Sequence, residues 1–322
     1  EQITPSSRHD LAKEVEDSCI ASGGEKVISV EAGTSDSFNE QVFVTSNGFE
    51  GYRKTTIYSV GAEMTIQDEG DRRPNGYNQV RARMKKDLPD ARKIGEETAR
   101  RTFDLMGGKK IPTETLPIII ENRGVYRVLG GLINAMSGGN VQRKRSFLAE
   151  KKGEKIGSKF LNVIDDPFIE KGFGTRYYDN DGMKAVKRTM INEGELNDYY
   201  VNWYYSRKLG WEPTSGGPSN LVITPGSRSV IEIMKDLNRG IFISDFIGGN
   251  SNSTTGDASV GIIGHLFNNG EKEQAIAEMN IAFNHLDFWN KLVETGNDPY
   301  PYPFNSWYLP SLVFEDVVVS GK

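Results

Sequence analysis

Cysteine occurs once in the 322 residues, at Cys19, and histidine three times, at His9, His265 and His285. A lone cysteine cannot close an internal disulfide, which fits a reducing compartment. No histidine has another within three to five residues, and no cysteine pair exists. Local spacing therefore encodes neither a zinc finger nor a zinc-peptidase helix. No apolar run approaches the ~18 residues of a membrane span, and the opening EQITPSSRHD lacks the pattern of a signal peptide. The G-x-S-x-G elbow and the G-x-x-x-x-G-K-[ST] phosphate loop are both missing. Basic residues show no excess: 39 Lys and Arg against 44 Asp and Glu give a net charge of −5. That balance argues against a broad nucleic-acid surface and leaves room only for a local basic patch.

What is present is ordinary for a globular chain: 37% hydrophobic and 26% charged residues, at a length that suits about two domains. The first residue is not Met, so a fragment, a processed form or a trimmed chain is expected. Leu11, Val15 and Cys19 predict an amphipathic helix over 7–22, with Ser6 or Ser7 as cap and Gly23-Gly24 as stop. Cys19 then lies on the apolar face, as a small buried hydrophobe rather than a reactive thiol. The stretches KVISVEAG and EQVFVTSNGFEGYRKTTIYSVGAEMTIQD read as a β-meander with turns at Asn47-Gly48 and Gly61. A helix follows at about Asp90–Met106, stopped by Gly107-Gly108, and then a short buried strand at Leu116–Ile120.

The fold expected is α+β. An N-terminal α/β domain with a mixed or antiparallel sheet and helices takes residues 1–112, and a β-rich C-terminal domain takes 113–322. In the second domain, residues 181–210 alternate around a turn at Glu193-Gly194. Ser229–Asn238 is a helix capped by Ser227 or Ser229 and ended by Gly240, IFISDFI and VGIIGHLF are strands around the loop GGNSNSTTGDAS, and Asn269-Gly270 makes a hairpin into AIAEMNIAF. SLVFEDVVVSG is the last strand.

VYRVLGGLINAM carries a regular apolar stripe at Val125, Val128, Leu129, Leu132, Ile133 and Met136. Yet Gly130 and Gly131 sit at its centre, where each costs about 1 kcal/mol relative to Ala. They let the helix bend or a second backbone come close, or they are tolerated drift. The loop Gly248–Ser259 has backbone amides able to hold a carboxylate or phosphate, with Asn250, Ser253, Thr255, Gly256 and Asp257 as the candidate peptide- or anion-binding residues. Composition alone favours a solvated connection. Arg143-Lys144-Arg145 offers a grip for an acidic peptide or nucleic acid, or is a solvated turn. His265 and His285 read as structural. The acids Asp165-Asp166 before a proline point to no general acid without a pocket. NDPYPYPFNSWYLP, at 297–310, reads as a rigid surface crossover or as the lining of a peptide groove.

One longer pattern spans Asn220 to Asp298: Asn220-Leu221, Pro225-Gly226, Gly240, Thr255-Gly256-Asp257 with Ser259, Asn269-Gly270, and Gly296-Asn297-Asp298. In order and spacing it resembles the C-terminal part of the TldD/PmbA family. Weaker similarity runs back through SRKLG, SGGNVQRKRSFL and ARRTFDLM to SNGFEGYRKTT.

The resemblance implies a cytoplasmic protein linked to peptide processing and to modulation of DNA gyrase, with a further N-terminal segment in the usual family member. It also implies two branches that pair with each other. The TldD branch carries H-E-x-x-x-H on a helix as metal ligands and acid–base glutamate; the PmbA (TldE) branch lacks them. Counted back from Gly153-Glu154, those positions fall at about Leu129, Gly130 and Asn134, a vestigial metal site with no ligand set. The expectation is a noncatalytic PmbA/TldE-like subunit with no cofactor. It would pair with a TldD-like metallopeptidase, with copies of itself, or both, and admit unfolded peptide. No membrane and no nucleic acid are expected as partners. The alternative is an active metal-dependent peptidase, binding zinc through distant residues such as His265, His285 and Asp257.

Overall fold

Residues 4–302 and 306–321 are described by the computed structural model. They fall into two units, one of residues 4–108 with 302 and one of residues 109–301 with 306–321.

In the first unit, helix α1 (Pro5–Gly23) starts earlier than its apolar spacing indicates. Pro5 is pre-set for a first helical turn, and the hydroxyl of Thr4, rather than Ser6 or Ser7, accepts from the Ser7 amide at 3.2 Å. Strands β1 (Val27–Val44), β2 (Glu50–Ile66) and β3 (Asn75–Ala82) form an antiparallel meander in that order. Helix α2 (Ala91–Phe103) is capped by Asp90, whose carboxylate accepts from the Arg92 amide. Val15, Cys19, Ile94 and Ala99 of the helices meet Val60, Met64, Ile66 and Val80 of the sheet in one core. Cys19 is fully buried, and burial raises its thiol pKa. Gly61 is not a turn: it lies inside β2, paired with Gly33 and Gln79. A Cβ there would stand 2.5 Å from the Asn78 carbonyl oxygen, so close strand approach, not reversal, requires the glycine.

The second unit opens with strand β4 (Glu114–Ile120), helix α3 (Val125–Ala135) and the short helix α4 (Gly138–Gln142). Strands β5 (Val163–Asp165), β6 (Arg188–Asn192) and β7 (Glu195–Leu196) follow. Glu193 and Gly194 make the β6–β7 turn with φ of 47° and 80°. The alternating stretch beyond it is not all strand, because helix α5 (Trp203–Leu209) forms there. Its aromatic residues favour strand by propensity. The Asn202 side chain nevertheless caps the Tyr205 amide, and Gly210 closes the helix at φ 69°.

Next come β8 (Leu221–Ile223) and α6 (Val230–Leu237), whose start is a reciprocal capping box between Ser229 and Glu232. Strands β9 (Arg239–Ser251), β10 (Asp257–Asn268) and β11 (Glu271–Asn284) form long hairpins. The β10–β11 turn has positive φ at both Asn269 and Gly270. The loop expected over 248–259 is mostly strand: Gly248 and Gly249 take up a bulge at positive φ, and only 252–256 remain as a turn. Helix α7 (His285–Asn290) and strands β12 (Leu292–Thr295), β13 (Trp307–Tyr308) and β14 (Leu312–Ser320) complete the unit.

Two sheets result. One is β11-β10-β9-β4-β14-β12, with β4 parallel to β9 and with β11 also meeting β14, so that it curls back on itself. The other is β13-β8-β5-β6-β7. The main core, including all of the α3 stripe, lies on one face of the larger sheet. A smaller cluster of Ile119, Ile233, Met234, Phe267 and Val313 lies on the other, beneath α6.

Candidate functional site

Helix α3 forms because its apolar residues recur at helical spacing and because β4 delivers it onto the core. The amides of Gly124 and Val125 both donate to the Glu121 carbonyl as the chain leaves the sheet. Val125, Val128, Leu129, Leu132, Ile133 and Met136 are buried as one stripe.

The three positions implied as a lost metal site share this helix but not an environment. Leu129 is fully buried in the core. Gly130 is half-buried, and a Cβ there would meet only the Trp307 indole, at 3.9 Å. Asn134 is exposed, and its side-chain oxygen accepts from Asn140 Nδ2 at 3.2 Å.

Gly131 has the demanding contact. A Cβ built on it would lie 2.3 Å from His285 Nε2, 2.8 Å from Cε1 and 3.0 Å from Ser251 Oγ. What comes close is a ring, not the second backbone that two glycines suggest. The ring cannot step aside. It is stacked on Phe147 at 5.3 Å, edge-on to Phe283 at 5.3 Å, and accepts a hydrogen bond at Nδ1 from the Trp289 indole N–H at 3.2 Å. An indole nitrogen only donates, so Nδ1 is the unprotonated nitrogen and Nε2 carries the hydrogen, facing Ser251 Oγ at 3.4 Å. Burial pushes the His285 pKa down to about 4, so the imidazole is neutral at pH 7. With Nε2 protonated it is no base for Ser251, and with Nδ1 engaged it has no free lone pair for a metal.

The turn at 252–256 is closed by its own bonds. Asn252 Oδ1 accepts from the amides of Thr254 and Thr255, the Gly256 amide donates to the Asn252 carbonyl, and the Asp257 amide donates to Thr255 Oγ1. The Ser253 carbonyl accepts from the Phe147 amide, and Asn250 is in strand β9, opposite Ser259. Asp257 is held ionised, its pKa lowered by hydrogen bonds from Asn284 and Thr255. These donors turn inward, toward the loop itself.

His265 stacks on Phe242 at 5.1 Å, and Phe242 packs against the cluster beneath α6. His285 faces the opposite core. The larger sheet thus stands between the two histidines, and the structure does not bring His265, His285 and Asp257 together. Among the described residues no group of three or more His, Cys, Asp or Glu side chains is placed to hold a metal ion. Of the crossover at 297–310, the Asp298 carboxylate takes bonds from the amide and hydroxyl of Ser311, and Tyr300 accepts from Arg123 at 2.7 Å. Residues 303–305 lie outside the described residues. Asp165 and Asp166 are separated by environment: Asp165 is buried and bonded to Ser219, while Asp166 pairs with Lys187. The contacts of Trp307, Ser251 and His285 with α3 had no sequence signal, since each partner lies more than a hundred residues away.

Comparison with known proteins agrees with this scaffold. Residues 113–321 match the PmbA/TldA metallopeptidase C-terminal domain, and residues 1–106 match the central domain of the same family. The chain is 29% identical over 301 residues to "Metalloprotease PmbA" of Escherichia coli, covering 92% of this chain and 66% of that protein. It is 28% identical over 283 residues to a PmbA homolog of Buchnera aphidicola, covering 87% and 63%. The chain therefore spans under two thirds of the length of these curated relatives. Among solved structures, a Bacteroides thetaiotaomicron protein described as a candidate modulator of DNA gyrase superposes with a TM-score of 0.95 at 37% identity, over 99% of this chain and 72% of that one. TldE of Thermococcus kodakarensis shares the fold, with a TM-score of 0.88 at 21% identity, over 99% and 75%. Fold and sequence together define a metallopeptidase-related α+β protein. The chain belongs to the PmbA/TldD family.

The zinc that the family name implies does not fit the residues at α3. Leu129 and Gly130 have no donor atom in their side chains, and the Asn134 amide is a poor ligand already engaged with Asn140.

Two predictions follow from the Gly131–His285 contact. Gly131→Ala is expected to lower the unfolding free energy by about 1–3 kcal/mol through overpacking. Gly130→Ala, whose Cβ would make only ordinary van der Waals contact with Trp307, is expected to gain up to about 1 kcal/mol from helix propensity; urea unfolding of both variants reads the difference. His285 also predicts a pH dependence. Its folded pKa lies below the unfolded value of 6.5. Its contribution is therefore fully present above pH 6.5 and is lost as the pH falls toward 4, at about 1.4 kcal/mol per pH unit. His285→Gln is expected to flatten that slope of stability against pH.

Proposed function

We propose that the chain is a PmbA/TldE-like subunit that supports proteolysis or peptide maturation by a TldD-like metallopeptidase without supplying the metal site. The observation that carries this reading is the filling of α3. Where the resemblance puts two histidines and a glutamate, the helix has a core leucine, a glycine under an indole and a hydrogen-bonded asparagine. Such a subunit contributes by excluding water and positioning an unfolded peptide for its partner.

In this reading the partner is a TldD-like subunit, with self-association of the chain as an addition or a replacement, and the compartment is the cytoplasm. No helix among the described residues is long and apolar enough to cross a membrane. The domain division at 1–112 and 113–322 assigns the α3 site wholly to the second domain. An effect on DNA gyrase, after which two structural relatives are described, would pass through the peptide-processing assembly rather than through nucleic-acid contact by this acidic chain.

Peptide cleavage measured for the chain alone, for a TldD-like metallopeptidase alone and for the two together tests the proposal. The expected result is no cleavage by this chain and a rise of about tenfold or more in chelator-sensitive cleavage on mixing. Robust, chelator-sensitive cleavage by this chain alone would overturn it and favour ligands drawn from distant residues.

A further inference from the structure

The basic cluster at 143–145 is part of a larger patch that the α3 site does not use. Helix α4 packs against α5, where Gly139 leaves room for the Tyr205 ring; a Cβ at Gly139 would stand 2.9 Å from it. Arg143 donates to the Tyr205 hydroxyl at 2.8 Å and lies over its ring at 5.8 Å. Tyr205 meets Tyr204 edge-on at 5.1 Å, Lys208 sits over Tyr204 at 5.7 Å, and Arg207 sits over Trp203 at 5.0 Å. Trp203 and Tyr204 remain 52% and 56% exposed, large values for aromatic side chains that find no place in the core. Arg143, Lys144, Arg145, Arg207 and Lys208 are exposed, and none forms an ion pair among the described residues. Nearby Lys151 and Lys152, by contrast, pair with Glu154 and Asp198. Three of these cations, Arg143, Arg207 and Lys208, lie over aromatic rings, and Lys144 and Arg145 follow Arg143 directly in the sequence, on a chain of net charge −5. The patch also reaches α3, because Asn140 bonds both Asn134 and, at 3.4 Å, Arg143.

We propose that the α4–α5 surface, from Arg143–Arg145 to Trp203, Tyr204 and Lys208, binds an acidic, extended peptide segment beside the Asn134 end of α3. Its unpaired guanidinium and ammonium groups take the carboxylates, and the aromatic rings cover the apolar parts of the segment. A short acidic segment feels mainly charges within a Debye length of ~8 Å. A long polyanion is also repelled by the rest of the acidic surface, which favours peptide over nucleic acid.

That the natural ligand is a peptide rests on the subunit reading above; the binding itself rests on the patch. The test uses the full chain without any metallopeptidase, so its outcome is independent of the cleavage assay. Fluorescence anisotropy compares a short labelled Glu/Gly/Ser peptide, the same peptide with Lys for Glu, and an oligo-dT of equal length. The Glu peptide is expected to bind, with affinity falling as salt rises, and the Lys peptide is not. The double variant Lys144→Glu, Lys208→Glu is expected to weaken binding about tenfold or more and to flatten the salt dependence. Lys144→Gln, Lys208→Gln, which adds no repulsion, should weaken it less with an unchanged melting temperature. Absence of Glu-peptide binding at low salt, equal binding of the Glu and Lys peptides, tighter binding of oligo-dT, or full affinity in both double variants would overturn the proposal.

Discussion

The second unit depends on one close approach, that of the His285 imidazole to the backbone of α3 at Gly131. Nothing larger than a hydrogen fits between them, since a Cβ would fall 2.3 Å from Nε2. That contact pins α7, which follows β11, against α3, which follows β4. Phe147 from the segment after α4 closes the ring's open face, and the Trp289 indole fixes its tautomer. Chain segments from four parts of the sequence meet at one neutral ring. A glycine that weakens an isolated helix is here the condition for packing it.

The same contact limits the chemistry of the site. His285, the deeply buried histidine, is held neutral by its surroundings, with each ring nitrogen directed at a neighbour. Leu129 fills the core where the family resemblance puts a ligand, and Asn134 is tied to Asn140. At the polar end of the helix, Asn134 is joined through Asn140 to the Arg143 guanidinium. In the proposed reading, binding and positioning are the tasks of these residues, through carboxylate-seeking charges and exposed rings.

How much of this the sequence shows differs from element to element. The α3 stripe, the capped start of α6 and the Asn269-Gly270 turn were legible because each is a local pattern with a local cause, although the choice of Ser229 over Ser227 as the cap was not. The α+β class was legible from the helix and strand patterns along the chain, and the family from spaced positions, mostly glycine, asparagine and aspartate, between Asn220 and Asp298. Gly61 misled because a turn and a tight strand crossing make the same demand for a missing side chain. Helix α5 misled because its rings favour strand, while two end residues, Asn202 and Gly210, decide the matter. The reason for Gly131 was not legible at all: His285 lies over a hundred residues away, and only the folded sheet brings it to the helix. The bond from Arg143 to Tyr205 of α5 was hidden for the same reason.

Zinc titration of the full chain in metal-free buffer at neutral pH, read by calorimetry and elemental analysis, tests the central claim that α3 is packed core and no longer a metal cradle. No stoichiometric zinc is expected, and the same result for His285→Gln. One tightly held zinc per chain, lost in His285→Gln or in Asn134→Ala, would contradict it.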